Sequence, residues 1–147
     1  MGFFAELKRR NVIRVAIAYA ANAAFPDCAW LDAKAPVVLQ EGADLGERLT
    51  RAFRWAFRRQ AQRVVIIGSD APHLSARWLA QAFRALGRAD VVLGPTTDGG
   101  YHLIGLNDPR PALFADMPWA TPRLLAKTLW RIRQLPVSVE CLRPIAD

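Results

Sequence analysis

The sequence predicts a three-layer α/β/α domain built on a mostly parallel sheet, and three observations carry that expectation. Two β-branched runs, Arg63-Val64-Val65-Ile66-Ile67-Gly68 and Asp90-Val91-Val92-Leu93-Gly94, lack polar alternation, as strands buried on both faces do. A helical stretch from Ser75 to Leu86 joins them into a βαβ unit, which implies a right-handed crossover. The chain has 147 residues, 52% hydrophobic and 22% charged, which fits one compact domain and excludes disordered, collagen-like and low-complexity classes. A chain of this length buries roughly two thirds of its unfolded surface, enough for a core without disulfides or structural metal.

Each element has its own signal. Residues 2–24 read as a helix, basic in its first half and alanine-rich in its second, ending at Phe25-Pro26-Asp27. Its apolar run from Val15 to Ala21 falls far short of the roughly 18–20 residues that span a bilayer. A packed amphipathic helix is the main reading, with membrane-surface contact, an export segment or a disordered leader as alternatives. Phe3 to Val12 resemble the leader of unrelated bacterial membrane-associated signalling proteins, which implies that residues 1–26, an N-terminal helix or leader, are of separate origin from an α/β domain over 36–147. Pro36 to Gln40 form a short strand. Leu45, Leu49, Phe53, Ala56 and Phe57 recur at helical steps, so 45–61 form an amphipathic helix with Asp44 as N-cap. Ser75 caps the next helix and Gly87 closes it. A strand from Tyr101 to Leu106 follows. Thr121-Pro122 start the last helix, whose buried face is Leu124, Leu125, Thr128, Leu129 and Ile132. Val137 to Leu142 form the final strand.

Lys plus Arg number 20 against 13 acids, a net charge of +7 that suits a phosphate-bearing partner without naming it. Cys28 and Cys141 lie far apart and resemble no disulfide framework or zinc cluster, so a reducing, cytoplasmic setting is expected.

Open parallel sheets bind ligands beyond the carboxyl ends of their strands, and two acidic loops occupy that edge. In Gly68-Ser69-Asp70 the glycine lets backbone approach a ligand, and Asp70 offers a hard oxygen to Mg²⁺ or Mn²⁺. In Asp98-Gly99-Gly100-Tyr101 the glycines leave room for a bulky ligand, and Asp98 can accept bonds from sugar hydroxyls or join the metal shell. The bland alternatives are a helix cap at Asp70 and a hairpin turn at Asp98-Gly99-Gly100. His73 is read as a surface loop residue, with general base or metal ligand as alternatives. His102 is expected to point to solvent or to a backbone partner. No Ser-His-Asp or Cys-His arrangement is visible.

Five motifs in one order carry a resemblance: Gly42-Ala43-Asp44-Leu45-Gly46-Glu47-Arg48-Leu49, Ile66 to Leu74, Asp90 to Pro95, Asp98 to Leu106, and Pro118-Trp119-Ala120-Thr121-Pro122. Over residues 40–143 the chain resembles a bacterial family of GT-A-like proteins, the radical-SAM/selenodomain-associated transferases, a domain of unknown function in the nucleotide-diphospho-sugar transferase superfamily. The resemblance implies a Rossmann-like GT-A fold in which Asp70 is the metal-binding carboxylate against a nucleotide-sugar diphosphate. It also implies that Asp98, with Asp70, is catalytic, that Gly68, Ser69, Gly99, Gly100 and Tyr101 frame the substrate, and that Trp119 and Thr121 close the acceptor side. Glu47 and Arg48 are expected to form a buried pair. Three departures stand out. The family's opening basic phosphate loop has no counterpart in residues 1–36, so the fold is expected to be truncated at its N-terminus. His73 replaces an acid, and Ala120 a serine.

Three functions compete. The first is a metal-dependent transferase acting on a nucleotide sugar or another phosphorylated small molecule. The second is a non-catalytic remnant serving as a binding or homo-oligomerisation module, because a sheet lacking its first strands must cover its edges. The third, disfavoured, is nucleic-acid binding through Arg48, Arg51, Arg54, Arg58, Arg59 and Arg63. Phe53 and Phe57 fall on the core side there, and a solvated helix face is the ordinary explanation.

Overall fold

The computed structural model describes residues 41–68 and 76–146. The expected helix over 2–24, the strand over 36–40, the leader boundary at residue 26 and the Ser75 cap lie outside them.

Helix α1 (Leu45–Arg58) starts where the sequence places it. Asp44 is the N-cap, accepting the Glu47 N–H at 2.8 Å. Glu47 reaches back to accept the Ala43 N–H at 2.9 Å, so two donors left over at the helix start are satisfied reciprocally. This overturns the expected buried Glu47–Arg48 pair. Glu47 is exposed and bonds Arg51 one turn on at 2.8 Å, while the Arg48 Nε–H donates to the Gly42 carbonyl at 3.2 Å. Adjacent helical residues point about 100° apart, so neighbours in sequence cannot share one buried site.

Strands β1 (Val64–Ile67), β2 (Val91–Pro95), β3 (Tyr101–Leu106) and β4 (Val139–Cys141) form one sheet in the order β1-β3-β2-β4. Strand β3 is antiparallel to both β1 and β2, and only β2 and β4 pair in parallel. The expected mostly parallel sheet is thus corrected to a mixed one. The reason is chain length: five residues, Thr96 to Gly100, separate β2 from β3. A parallel return needs a crossover of about a dozen residues or more, so the chain turns back as a hairpin. Strand β3 occupies the place between β1 and β2 that an adjacent βαβ pair would have closed.

The three layers follow from strand alternation. Val64 and Ile66, Val91 and Leu93, and Ile104 and Leu106 pack with α1 and with α3 (Leu124–Arg133) on one face. Val65, Val92 and Leu103 pack with α2 (Ala76–Ala85) on the other. Phe53 of α1 is 1% exposed and stacks between Phe57 and Phe114, with ring centroids 6.4 and 5.6 Å away. Leu124, Thr128 and Ile132, one turn apart, are the buried stripe of α3. That helix begins two residues past Pro122. The Thr121 hydroxyl folds back to the Pro118 carbonyl at 2.7 Å and accepts the Arg123 N–H at 3.3 Å, making a turn ahead of the helix. Among the described residues no helix is long and apolar enough to cross a membrane.

Candidate functional site

Because β3 runs against both of its neighbours, the carboxyl ends of β1 and β2 and the start of β3 share one sheet edge. Gly68 leaves β1 there, its N–H donating to the His102 carbonyl at 2.8 Å. Ser69, Asp70 and His73 continue from it and lie outside the described residues.

The turn from Thr96 to Gly100 stands at the same edge. Asp98 Oδ1 accepts the Thr96 hydroxyl and the Gly100 N–H, so the carboxylate organises its own turn. The Thr96 N–H closes the loop on the Gly100 carbonyl at 3.0 Å, and the Thr97 N–H bonds the Ile145 carbonyl at 3.0 Å. Gly99 is the residue that lets the turn dock. Its φ is +93°, and a Cβ there would lie 2.1 Å from the Pro122 oxygen. Its carbonyl accepts the Leu125 N–H at 2.9 Å, fixing the turn to the first residues of α3. The hairpin reading of Asp98-Gly99-Gly100 therefore describes the backbone, and Asp98 stays exposed on it.

Tyr101 and Trp119 lie deeper. Tyr101 is 8% exposed, its hydroxyl lacks a hydrogen-bond partner among the described residues, and burial pushes that hydroxyl well above the usual phenol range. Thr128, which it faces, donates its own hydroxyl to the Leu124 carbonyl at 2.8 Å. Trp119 is half-buried, stacks on Phe114 at 6.5 Å between centroids, and leaves its indole N–H buried without a partner among the described residues. Beside it Gly46 admits the Phe114 carbonyl; a Cβ there would come within 2.2 Å of that oxygen. The Gly42 to Leu49 motif thus caps α1 and lets the segment carrying Trp119 close on it. Ala120, between Trp119 and Thr121, holds φ at +60°, a left-handed conformation that residues with a side chain seldom adopt. Gly68, Asp98, Gly99, Gly100 and the backbone of Tyr101 are gathered at one edge, and the 119–121 segment leads from the core into the turn docked there.

His102 departs most from expectation. It is 7% exposed, and its Nε2 accepts the Trp78 indole N–H at 3.0 Å. That bond assigns the ring proton to Nδ1, which is buried with no hydrogen-bond partner among the described residues. Burial lowers its pKa, with the Gly94 and Pro95 carbonyls partly opposing, so the ring is held neutral. The cause is a β-bulge: Gly94 pairs with Leu103 and Pro95 with Tyr101, leaving His102 as the extra residue. The bulge sends His102 and Leu103 to the α2 side and Tyr101 to the α3 side. An apolar strand with no solvent face was the available signal, since any histidine inside it must be buried.

Metal donors are sparse. Among the described residues no group of three His, Cys, Asp or Glu side chains could hold an ion. The edge does offer the exposed Asp98 carboxylate, which suits Mg²⁺ or Mn²⁺ as a ligand that takes one or two protein carboxylates and completes its shell with water and phosphate.

The site thus stands on a mixed α/β sheet whose edge gathers Gly68 and the Asp98 turn. The chain belongs to the DUF2064 family, described as an uncharacterized protein conserved in bacteria, whose profile matches residues 3–121. It is similar to a solved structure from Desulfovibrio desulfuricans G20 described as a candidate nucleotide-diphospho-sugar transferase, with 34% sequence identity and a TM-score of 0.69. The match covers 74% of this chain and 48% of that one, so the chain spans about half the length of that relative. No curated protein matches.

Proposed function

We propose that this protein binds a nucleotide-diphospho-sugar at the edge formed by Gly68 and the Asp98–Tyr101 turn and transfers its sugar to an acceptor. The observation that carries the reading is that shared edge, joined to 34% identity with a protein described as a candidate transferase of this kind. In the reading, Asp70 and Asp98 hold Mg²⁺ or Mn²⁺, Ser69 and the glycines border the substrate, and Trp119 and Thr121 bound the acceptor side. A bound divalent cation would neutralise the diphosphate leaving group. The chain's own part is to position it: Asp98 is held rigidly by its turn, and Gly99 keeps that turn against α3. A reducing, cytoplasmic setting belongs to the same reading.

Calorimetric titration with nucleotide sugars in the presence of Mn²⁺ tests it. Micromolar binding that Asp70→Ala and Asp98→Asn each weaken tenfold or more is the expected result. Absence of heat with every nucleotide sugar removes the transferase reading.

The second reading is a non-catalytic binding or oligomerisation module. What favours it is that Asp98 Oδ1 already serves the hairpin turn, a sufficient structural reason for that residue. In this case light scattering finds a homo-oligomer, and the titrations above are silent.

A further inference from the structure

We infer that the outer side of α1 is a binding surface for single-stranded nucleic acid, separate from the sheet edge and independent of the transferase reading. Arg51, Arg54, Trp55, Arg58 and Arg59 together line an open surface depression. Arg51 is answered by Glu41 at 3.3 Å and Glu47 at 2.8 Å. Arg54, Arg58 and Arg59 are exposed and have no carboxylate partner among the described residues. The carbonyl end of α1 contributes about half a negative charge, so three unanswered guanidiniums leave the patch strongly positive.

Trp55 decides what kind of anion fits. It is half-buried, packed in part against the hydrophobic core, and its remaining surface lies among these arginines, with the Arg59 guanidinium carbon 4.2 Å from its ring centroid. Cations that follow a phosphate backbone, interleaved with a ring and a planar guanidinium on which unpaired bases stack, are what single strands require. A bilayer needs apolar side chains that enter its interior, and among the described residues the ring is the depression's only apolar lining. A polyacidic peptide would engage the charges and leave the ring unused. Two of the arginines expected to join this surface are engaged elsewhere: Arg48 bonds the Gly42 carbonyl, and Arg63 reaches the Phe83 carbonyl of α2 at 3.4 Å. The patch is also remote from the candidate transferase edge, because α1 ends shortly before β1 begins. Its last turn therefore lies toward the amino end of that strand, and Gly68 at the carboxyl end.

Fluorescence anisotropy with labelled 12-nucleotide dT and rU oligomers at 50 and 200 mM NaCl tests the assignment. Three phosphate contacts give a log–log salt slope of about −2, so the fourfold rise in salt weakens binding by about 20-fold. The double variant Arg54→Ala/Arg58→Ala loses tenfold or more in affinity with its melting curve unchanged. Trp55→Leu weakens oligomer binding several-fold and leaves the binding of inorganic polyphosphate as it was. No anisotropy change at 50 mM salt, equal affinity in the double variant, or tighter binding of polyglutamate or phosphatidylglycerol vesicles than of the oligomers would each overturn the inference. Silence of the nucleotide-sugar titration leaves it standing.

Discussion

At the scale of single residues, Asp98 and Gly99 show how one turn can serve two ends. The amide of Asn accepts the same hydrogen bonds at the turn as the Asp98 carboxylate, but carries no charge. Asp98→Asn is therefore expected to keep folding stability within about 0.5 kcal/mol, while Asp98→Ala, which removes the acceptor, costs about 1 kcal/mol in urea unfolding. A variant pair that differs in stability as stated, yet is equally defective in nucleotide-sugar titration, separates the charge from the turn. Gly99→Ala meets both a left-handed φ and the Pro122 oxygen, so a loss of about 2 kcal/mol or more is expected in the same measurement. His102 gives a pH dependence whose sign is fixed. Its folded pKa lies below the unfolded value of about 6.5, so the unfolded chain takes the proton more readily. The ring leaves stability unaffected well above about pH 6.5, where it is neutral in both states, and lowers it as pH falls through that value. Unfolding midpoints compared between pH 7.5 and 5.5 show the drop in the parent protein; in His102→Gln the portion due to this ring disappears.

At the scale of elements, α1 rests on its cap and on its buried stripe. Asp44→Ala should cost about 1 kcal/mol, and Phe53→Ala about 3–5 kcal/mol, because the latter empties a space between two stacked rings. Equilibrium denaturation gives both values, and a Phe53→Ala loss no larger than the cap's would contradict the packing described. Much of this level was legible in the sequence. The cap, the apolar spacing of α1 and the limits of β3 were all written in residue types whose physics is local. Strand direction was not, because two-faced burial looks the same in parallel and antiparallel neighbours. Yet the five residues from Thr96 to Gly100 already excluded a crossover between β2 and β3, and weighing their number against their glycines would have set the order. The burial of His102 was readable from a strand with no solvent face, but the layer it enters was not, because a bulge changes the parity of a strand and shows only once the partner strand is known. Trp55 went unweighed because Phe53 and Phe57, two steps to either side, hold the core face of α1.

At the scale of the whole molecule, the hairpin placed between β1 and β2 governs what the domain can present. It brings Gly68 and the Asp98 turn to one end while the arginines of α1 face outward toward the other. The sequence marks the candidate residues as strand ends, and at Asp98 the structure supplies a structural use as well, the hairpin turn. The depth of the site was not legible, because the burial of Tyr101 depends on α3, more than twenty residues further along the chain, and that of Trp119 on how the irregular segment around Phe114 folds. One residue of β3 carries a wider implication. Through its carbonyl His102 holds Gly68, and through its ring it holds Trp78, so one buried side chain and its own backbone tie the end of β1 to the first turn of α2. A substitution at this single position is therefore felt by strand and helix together, which makes it the rivet between two layers of the domain.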